Sequence, residues 1–152
     1  MPIFRPLLVS LLLPGLAHAE VHVTGPIEVG VFESRYQDQQ PGERVLVSGE
    51  QRILETDQIP MKIGTKFGLR YRLEGKRADD VPLTLMYFTP GVVDPNGQRH
   101  DRYEVVQKLV PDVTVDVMAF EFTEPYELVA GEWRFMVFQG DRQLTEQRFE
   151  VR

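Results

Sequence analysis

The 152-residue chain contains no cysteine and only one tryptophan. Without cysteine it can form no disulfide, thiolate nucleophile or thiolate-ligated metal site, so thiol catalysis, dithiol redox chemistry and cysteine zinc sites are excluded. Disulfides commonly stabilise exported domains, so an exported form of this chain must rely on packing alone. A domain of this length can bury enough apolar surface to do so.

The chain also has no segment with a sustained helical stripe of apolar residues. Its 11 prolines and 12 glycines interrupt the sequence at short intervals. Short alternating segments separated by turns are typical of an all-β sandwich or barrel. We therefore expect a single domain over residues 20–152: an immunoglobulin-like antiparallel β-sandwich of about seven to nine strands, with no disulfide.

The first 19 residues have the layout of a secretory signal peptide. Arg5 precedes an apolar run from Leu7 to Leu13, and the small residues Ala17 and Ala19 precede the expected cleavage site. The apolar run is shorter than the roughly 20 residues that a membrane-spanning helix needs, and Pro14-Gly15 ends it. We expect cleavage after Ala19 and a soluble mature protein that is periplasmic or secreted, with no membrane span.

The charge of the mature chain argues against several kinds of partner. Cleavage removes one cation, leaving 17 − 1 = 16 Lys and Arg against 23 Asp and Glu, a net charge of −7. An acidic protein is repelled by nucleic acids and by anionic membrane surfaces. Another protein of the cell envelope, or a glycan, is the expected partner.

Period-two alternation predicts individual strands. In KFGLRYRLEG one face carries Phe67, Leu69, Tyr71 and Leu73, and the other carries Gly68, Arg70, Arg72 and Glu74. The first strand keeps one apolar parity from Val21 to Val31, with a kink expected at Gly25-Pro26. In Gln37–Pro60, RVLVS and ILETDQI are each expected to form a short strand.

Two further segments carry less regular patterns. PLTLMYFTP is apolar at nearly every position, which predicts a central strand covered on both faces and joined to YEVVQKLV by a long-looped hairpin around DPNG. Further on, Val113, Val115 and Val117 share one parity, whereas Phe120 and Phe122 have the other. This change of parity predicts a β-bulge.

The last hairpin contains the tryptophan. Trp133, Phe135 and Val137 share one face, Gly140-Asp141 supplies a two-residue turn, and the return strand is expected to bulge between Thr145 and Gln147. Immunoglobulin-type sandwiches place a glycine, a corner aromatic and a core residue at the spacing of Gly131, Trp133 and Phe135. We therefore expect Trp133 to be buried at a corner, without the hydrogen bond that a tyrosine hydroxyl makes there.

Three blocks, IPMKIGTKFGLRYRLEG, PGVVDPNG and EPYELVAGEWRFMVFQGDRQLTEQRFEV, together resemble an uncharacterised bacterial family catalogued only as a domain of unknown function. The resemblance covers about Val21 to Val151. It implies a small, β-rich, exported or standalone protein. No activity, cofactor or catalytic residue is carried over from it.

Residues with catalytic or metal-binding chemistry do not form a pattern in this sequence. His22 and His100 have no second histidine or spaced carboxylate near them and are expected to be solvated. Asp79-Asp80, Asp94 and Asp101 are expected to be solvated carboxylates rather than a calcium site or a glycosidase pair. We predict no catalytic residue, no metal and no cofactor.

Two candidate partner surfaces remain. Arg134, Met136 and Phe138 occupy the outward face of the last hairpin, where they either form an exposed patch or are covered by residues 37–60. Arg70 and Arg72 either form a basic surface or pair with glutamates across the sheet.

These observations favour an exported, non-enzymatic binding module. The alternative is a carbohydrate-binding or carbohydrate-processing sandwich, which requires an exposed Trp133. The first strand could also be an edge that pairs with a second copy, which gives a monomer or a weak edge-strand dimer as the expected state.

Overall fold

Two β-sheets enclose one hydrophobic core in the computed structural model, which describes residues 20–33 and 51–152. The nine strands of these residues are β1 (His22–Phe32), β2 (Ile53–Glu55), β3 (Gln58–Ile59), β4 (Lys66–Glu74), β5 (Leu83–Val93), β6 (Arg99–Gln107), β7 (Asp116–Glu121), β8 (Gly131–Gln139) and β9 (Arg142–Val151). A one-turn 3-10 helix covers Pro125–Glu127. The predicted all-β sandwich is confirmed. The predicted signal peptide and the RVLVS strand lie outside the described residues.

The smaller sheet has the order β2-β1-β4-β7, and the larger has the order β3-β9-β8-β5-β6. All pairs are antiparallel except β3 with β9. The single strand expected over ILETDQI is divided into β2 and β3, one in each sheet. Between them the hydroxyl of Thr56 accepts a hydrogen bond from the backbone N–H of Gln58, at 3.0 Å. This local turn carries the chain from one sheet to the other.

The core is built on the alternating side chains of β4. Phe67, Leu69, Tyr71 and Leu73 are all buried, as their parity predicts. The Phe67 ring lies 5.2 Å from the Phe135 ring and 5.9 Å from the Trp133 ring, centroid to centroid. Because β4 and β8 belong to different sheets, these aromatic contacts hold the two layers together.

The predicted irregularities in β1 and β9 are present. The register between β1 and β4 shifts between Thr24 and Glu28, at the Gly25-Pro26 kink. The register between β8 and β9 shifts where Val137 pairs with Thr145 and Phe138 pairs with Gln143, so the bulge is centred on Leu144. This is slightly earlier than the predicted position.

The β5–β6 hairpin is present, but two details of the prediction are wrong. The strands extend to Val93 and from Arg99, so the connection is a short turn over residues 94–98 rather than a long loop. β5 is also not covered on both faces: Leu83, Leu85 and Tyr87 are buried, whereas its opposite face is half-exposed. The apolar sequence did not distinguish the buried face of β5 from its half-exposed face, because the outward residues Met86 and Phe88 are apolar too.

The bulge predicted near Phe120 is wrong. β7 pairs with β4 without interruption from Tyr71–Asp116 to Lys66–Glu121. Its inner positions include Asp116 and Met118, in phase with Phe122, whereas Val113 and Val117 are exposed. The inner face of β7 therefore starts at an aspartate and not at a valine.

Asp116 is buried because it has a cationic partner. Its Oδ2 atom is 3.1 Å from Nζ of Lys76, and the two side chains are 6% and 4% exposed. Nζ of Lys76 also donates to the carbonyl of Val113, and Nε2 of Gln107 lies 3.4 Å from the other carboxylate oxygen. A buried charge is tolerated when it is paired and hydrogen-bonded in this way.

Tyr71 lies opposite Asp116 in the register of β4 and β7. Its hydroxyl is buried and has no hydrogen-bond partner in the described part of the chain. Burial, and then the negative charge of Asp116, raise the pKa of the Tyr71 hydroxyl far above its ordinary value. The phenol therefore stays neutral beside the ion pair.

Candidate binding surface

The outer face of the larger sheet carries apolar side chains on its two middle strands. Met86 and Phe88 of β5 lie opposite Met136 and Arg134 of β8, and Phe138 lies opposite Thr84. All are half-exposed, because their neighbours in each strand occupy the core face. We refer to Met86, Phe88, Met136 and Phe138 as the apolar strip.

Charged residues border the apolar strip on both sides. On β6, Arg102 and Glu104 lie opposite Phe88 and Met86. On β9, Arg148 and Glu146 lie opposite Arg134 and Met136. Across the sheet from β6 to β9, one row therefore consists of Glu104, Met86, Met136 and Glu146. The next row consists of Arg102, Phe88, Arg134 and Arg148. An apolar centre with a charged rim is the usual arrangement of a protein-binding surface.

Arg134 lies at the basic end of the strip and is held in place there. Its guanidinium carbon is 4.6 Å from the centroid of the Phe88 ring, a cation–π contact. Nε of Arg134 lies 4.0 Å from Oε1 of Glu146, and Nε of Arg148 donates to the same oxygen at 3.3 Å. The arginine therefore covers part of an aromatic ring and keeps its charge at the surface.

A shallow groove adjoins the other end of the strip. Its volume is about 390 Å³, and it is lined by Thr84, Met86, Glu104, Phe138, Gly140 and Asp141. Apolar side chains thus lie beside two carboxylates. The strip as a whole is basic at the Arg134 end and acidic at the groove.

The structure brings the three predicted residues Arg134, Met136 and Phe138 together on one outward face. The sequence did not identify Met86 and Phe88, because β5 is apolar at nearly every position and Thr84 is the one polar residue beside them on their face. Of the segment expected to cover this surface, residues 51–60 instead contribute β2 and β3. Residues 37–50 lie outside the described residues.

The other two predicted residues, Arg70 and Arg72, belong to the smaller sheet. Nε and Nη2 of Arg70 donate to the two carboxylate oxygens of Glu28, at 2.6 and 2.8 Å, and Nη1 donates to the carbonyl of Gln51. The hydrogen bonds from Arg70 hold the pKa of the Glu28 carboxyl below its ordinary value. Arg70 thus forms the cross-strand pair with a glutamate, and Arg72 lies exposed beside it.

His100 has partners, so the expectation of an isolated, solvated histidine is wrong. Its Nε2 atom is 3.0 Å from Oδ2 of Asp94, and its ring stacks on Tyr103 with centroids 5.3 Å apart. Oδ1 of Asp94 accepts hydrogen bonds from the backbone N–H groups of Asn96 and Gln98. Asp94 therefore organises the turn of the β5–β6 hairpin through both carboxylate oxygens.

The same contacts set the ionisation of Asp94. The hydrogen bond with His100 has the largest effect, and the hydrogen bonds from the N–H groups of Gln98 and Asn96 add to it; together they lower the pKa of the Asp94 carboxyl below its ordinary value.

His22, in β1, is exposed, and its Nδ1 atom lies 2.9 Å from the carbonyl oxygen of Glu20. In the described ranges, no three His, Asp or Glu side chains are grouped so that they could hold a metal ion.

Trp133 is fully buried, as its place in the last hairpin predicts. Its ring lies among Phe67, Phe120 and Phe122, with centroids 5.1 to 5.9 Å away. A sugar-binding platform needs an exposed aromatic face, so Trp133 does not provide one.

The described residues also include no helix with the length and apolarity that crossing a membrane requires.

Comparison with known proteins identifies a similar solved structure and the family of this chain. No curated protein matches the chain. A crystal structure at 1.50 Å resolution, described as that of an immunoglobulin-like protein from Pseudomonas aeruginosa, is similar to it with 60% sequence identity and a TM-score of 0.79. The match covers 90% of this chain and 99% of that one, and it confirms the predicted immunoglobulin-like sandwich. The profile of an uncharacterised family matches residues 20–151, so the chain belongs to the family described as Domain of unknown function (DUF3859).

Proposed function

We propose that this protein is an exported, non-enzymatic binding module of the bacterial cell envelope, and that the apolar strip is its binding surface. The observation that carries the proposal is the adjacency of Met86, Phe88, Met136 and Phe138, all half-exposed on one sheet face. Contiguous apolar surface with a polar rim is typical of sites where another protein binds.

The chemistry of the strip favours a protein partner. Aromatic, methionine and arginine side chains are enriched at protein interfaces and supply much of their binding energy. Arg134 is already positioned over Phe88, so little side-chain freedom is lost when a partner covers it. A glycan partner loses support because Trp133 is buried.

The surroundings of the histidines support a non-catalytic role. His22 bonds a backbone carbonyl, and His100 holds Asp94 in a hairpin turn. Neither histidine has a hydroxyl nucleophile as its partner among the hydrogen bonds of residues 20–33 and 51–152. A base without a placed nucleophile gives no reason to propose acyl transfer.

Site-specific photo-cross-linking tests the binding surface. A benzophenone amino acid replaces Phe138 in one variant and Arg72, exposed on the other sheet, in a matched variant. In the producing cells we expect a discrete cross-linked product from position 138 and none from position 72. Adding Met136→Glu should abolish the product while the circular dichroism spectrum is unchanged. A product from position 72 alone would move the binding surface to the smaller sheet.

Export is tested separately, since it depends on the first 19 residues and not on the strip. We expect the protein recovered from a periplasmic or culture fraction to begin at Glu20, as measured by intact mass. Recovery of the uncleaved chain from the cytoplasm alone would contradict export.

A further inference from the structure

β6 forms one margin of the larger sheet. In the described ranges its only strand partner is β5. The other outermost strands are short, with three residues in β2, two in β3 and six in β7, whereas β6 has nine. β2 and β3 pair only with residues 30–32 of β1 and residues 150–151 of β9, so the remainder of β1 and of β9 also lies at a margin of the described sheets. A long margin strand presents a row of backbone N–H and C=O groups that a further strand can bind.

Between Arg102 and Gln107, β6 contains neither a bulge nor a proline, two features that commonly block such pairing. The register with β5 is continuous from Arg102 to Gln107, and the irregular part of the pair lies nearer the hairpin turn. Val105 and Val106 are 48% and 64% exposed, although they point to opposite faces of the sheet. Apolar surface on both sides of a regular margin strand favours coverage by another strand.

The charges of β6 select a second copy of the same strand as the occupant. Tyr103 lies opposite the core residue Tyr87 and faces inward, whereas Arg102 and Glu104 lie opposite Phe88 and Met86 and face outward. A two-fold axis perpendicular to the sheet at Tyr103 places the two inward Tyr103 side chains opposite each other and pairs outward residues with outward residues at positions 102 and 104. Arg102 of each copy then lies opposite Glu104 of the other, giving two ion pairs on the outer face.

Neighbouring registers are less favourable. An axis at Arg102 would place the two Arg102 side chains opposite each other, and an axis at Glu104 would oppose the two carboxylates. Like charges directly opposite each other destabilise a sheet. An axis at Tyr103 places no like charges opposite each other at positions 102 and 104.

We propose that β6 pairs antiparallel with β6 of a second copy, centred on Tyr103, so that two five-stranded sheets become one continuous sheet. The apolar strips of the two copies then lie on the same face, on either side of the dimer axis. This inference is independent of the proposed partner at the strip, because Met136→Glu leaves β6 unchanged.

Engineered cysteines test the register directly, since the chain has no cysteine of its own. Directly opposed residues in an antiparallel pair have Cα atoms about 4.5 to 5.5 Å apart, within the range of a disulfide. Under mild oxidation we expect Tyr103→Cys to form a covalent dimer. The control Val81→Cys, at a site 59% exposed outside β6, should remain monomeric. Equal cross-linking of the two variants would overturn the proposal.

Charge exchange provides a second test that leaves Tyr103 in place. By sedimentation velocity we expect a concentration-dependent dimer for the mature protein, weakened about tenfold or more by Arg102→Glu, which opposes carboxylates at two positions. Arg102→Glu combined with Glu104→Arg restores the opposite pairs and should restore the dimer. The proposal would be overturned if the wild-type protein were monomeric at high concentration, or if Arg102→Glu left the dimer affinity unchanged. It would also be overturned if a different protein were found to pair with β6.

Discussion

The indole Nε1 of Trp133 donates a hydrogen bond to the carbonyl oxygen of Val129, four residues earlier and 3.0 Å away. In immunoglobulin-type sandwiches a corner tyrosine bonds the backbone a few residues upstream through its hydroxyl. Trp133 makes the equivalent contact with a nitrogen donor. The expectation that this corner lacks a hydrogen bond is therefore wrong, because the edge of the indole ring carries an N–H group.

We expect Trp133→Phe to lower the free energy of unfolding by about 2 kcal/mol. The substitution removes the donor to Val129 and leaves a void among the aromatic rings around it. Urea unfolding followed by circular dichroism measures the change, since the substitution removes the only tryptophan. Phe138→Leu on the outer face is the control and should cost less than about 1 kcal/mol. Equal losses would show that the corner contact contributes nothing specific.

The ion pair between Lys76 and Asp116 should matter for stability mainly because removing either partner leaves the other charge buried without a counter-charge. We expect Lys76→Met to cost about 3 kcal/mol, since it leaves the Asp116 carboxylate buried without its cation. The double variant Lys76→Met with Asp116→Leu removes both charges and should recover most of that loss. A double-mutant cycle from urea unfolding measures the coupling. Simply additive losses would contradict a buried, coupled pair.

Asp94, in the turn of the β5–β6 hairpin, should make the stability of the protein depend on pH. Because the pKa of Asp94 is lowered in the folded state, its contribution to stability is fully present above the ordinary aspartate pKa of about 3.9. It is lost as the pH falls through the lower, folded pKa. We expect His100→Phe, which retains a ring beside Tyr103, to raise the titration midpoint of the Asp94 carboxyl measured by NMR.

Part of that shift should remain in His100→Phe, because the backbone N–H groups of Asn96 and Gln98 still donate to Asp94. Asn96→Ala keeps its backbone N–H and is the matched control; we expect it to leave the midpoint nearly unchanged. A midpoint that does not respond to His100→Phe would show that the histidine does not set the ionisation of Asp94.

The sequence predicted the strands whose alternation is simple. β4 has apolar residues at every second position, and the β8–β9 hairpin has a two-residue turn that determines its register. The same parity placed Arg134, Met136 and Phe138 outward. Local pattern is sufficient in these cases, because each strand has one core face and one solvent face.

The sequence failed where a residue's environment depends on a distant partner. Asp116 points inward because Lys76, 40 positions away, neutralises it. Gly68 was assigned to the polar, outward face of β4, yet a Cβ atom there would lie 2.0 Å from the carbonyl oxygen of Met118. It also pairs with Gly30, where a Cβ atom would lie 1.8 Å from the carbonyl oxygen of Leu54. These glycines permit close approach of neighbouring backbones.

By itself, then, the sequence determined the all-β class, the absence of thiol chemistry, the burial of Trp133 and the outward face of the last hairpin. These follow from composition and from side-chain parity, which are local properties of the chain. Only the tertiary structure decided that Met86 and Phe88 complete the apolar strip, that His100 is held by Asp94 and that β6 is an outermost strand of its sheet. Each of these depends on which strands lie side by side, and cross-strand neighbours are set by the packing of the whole sandwich.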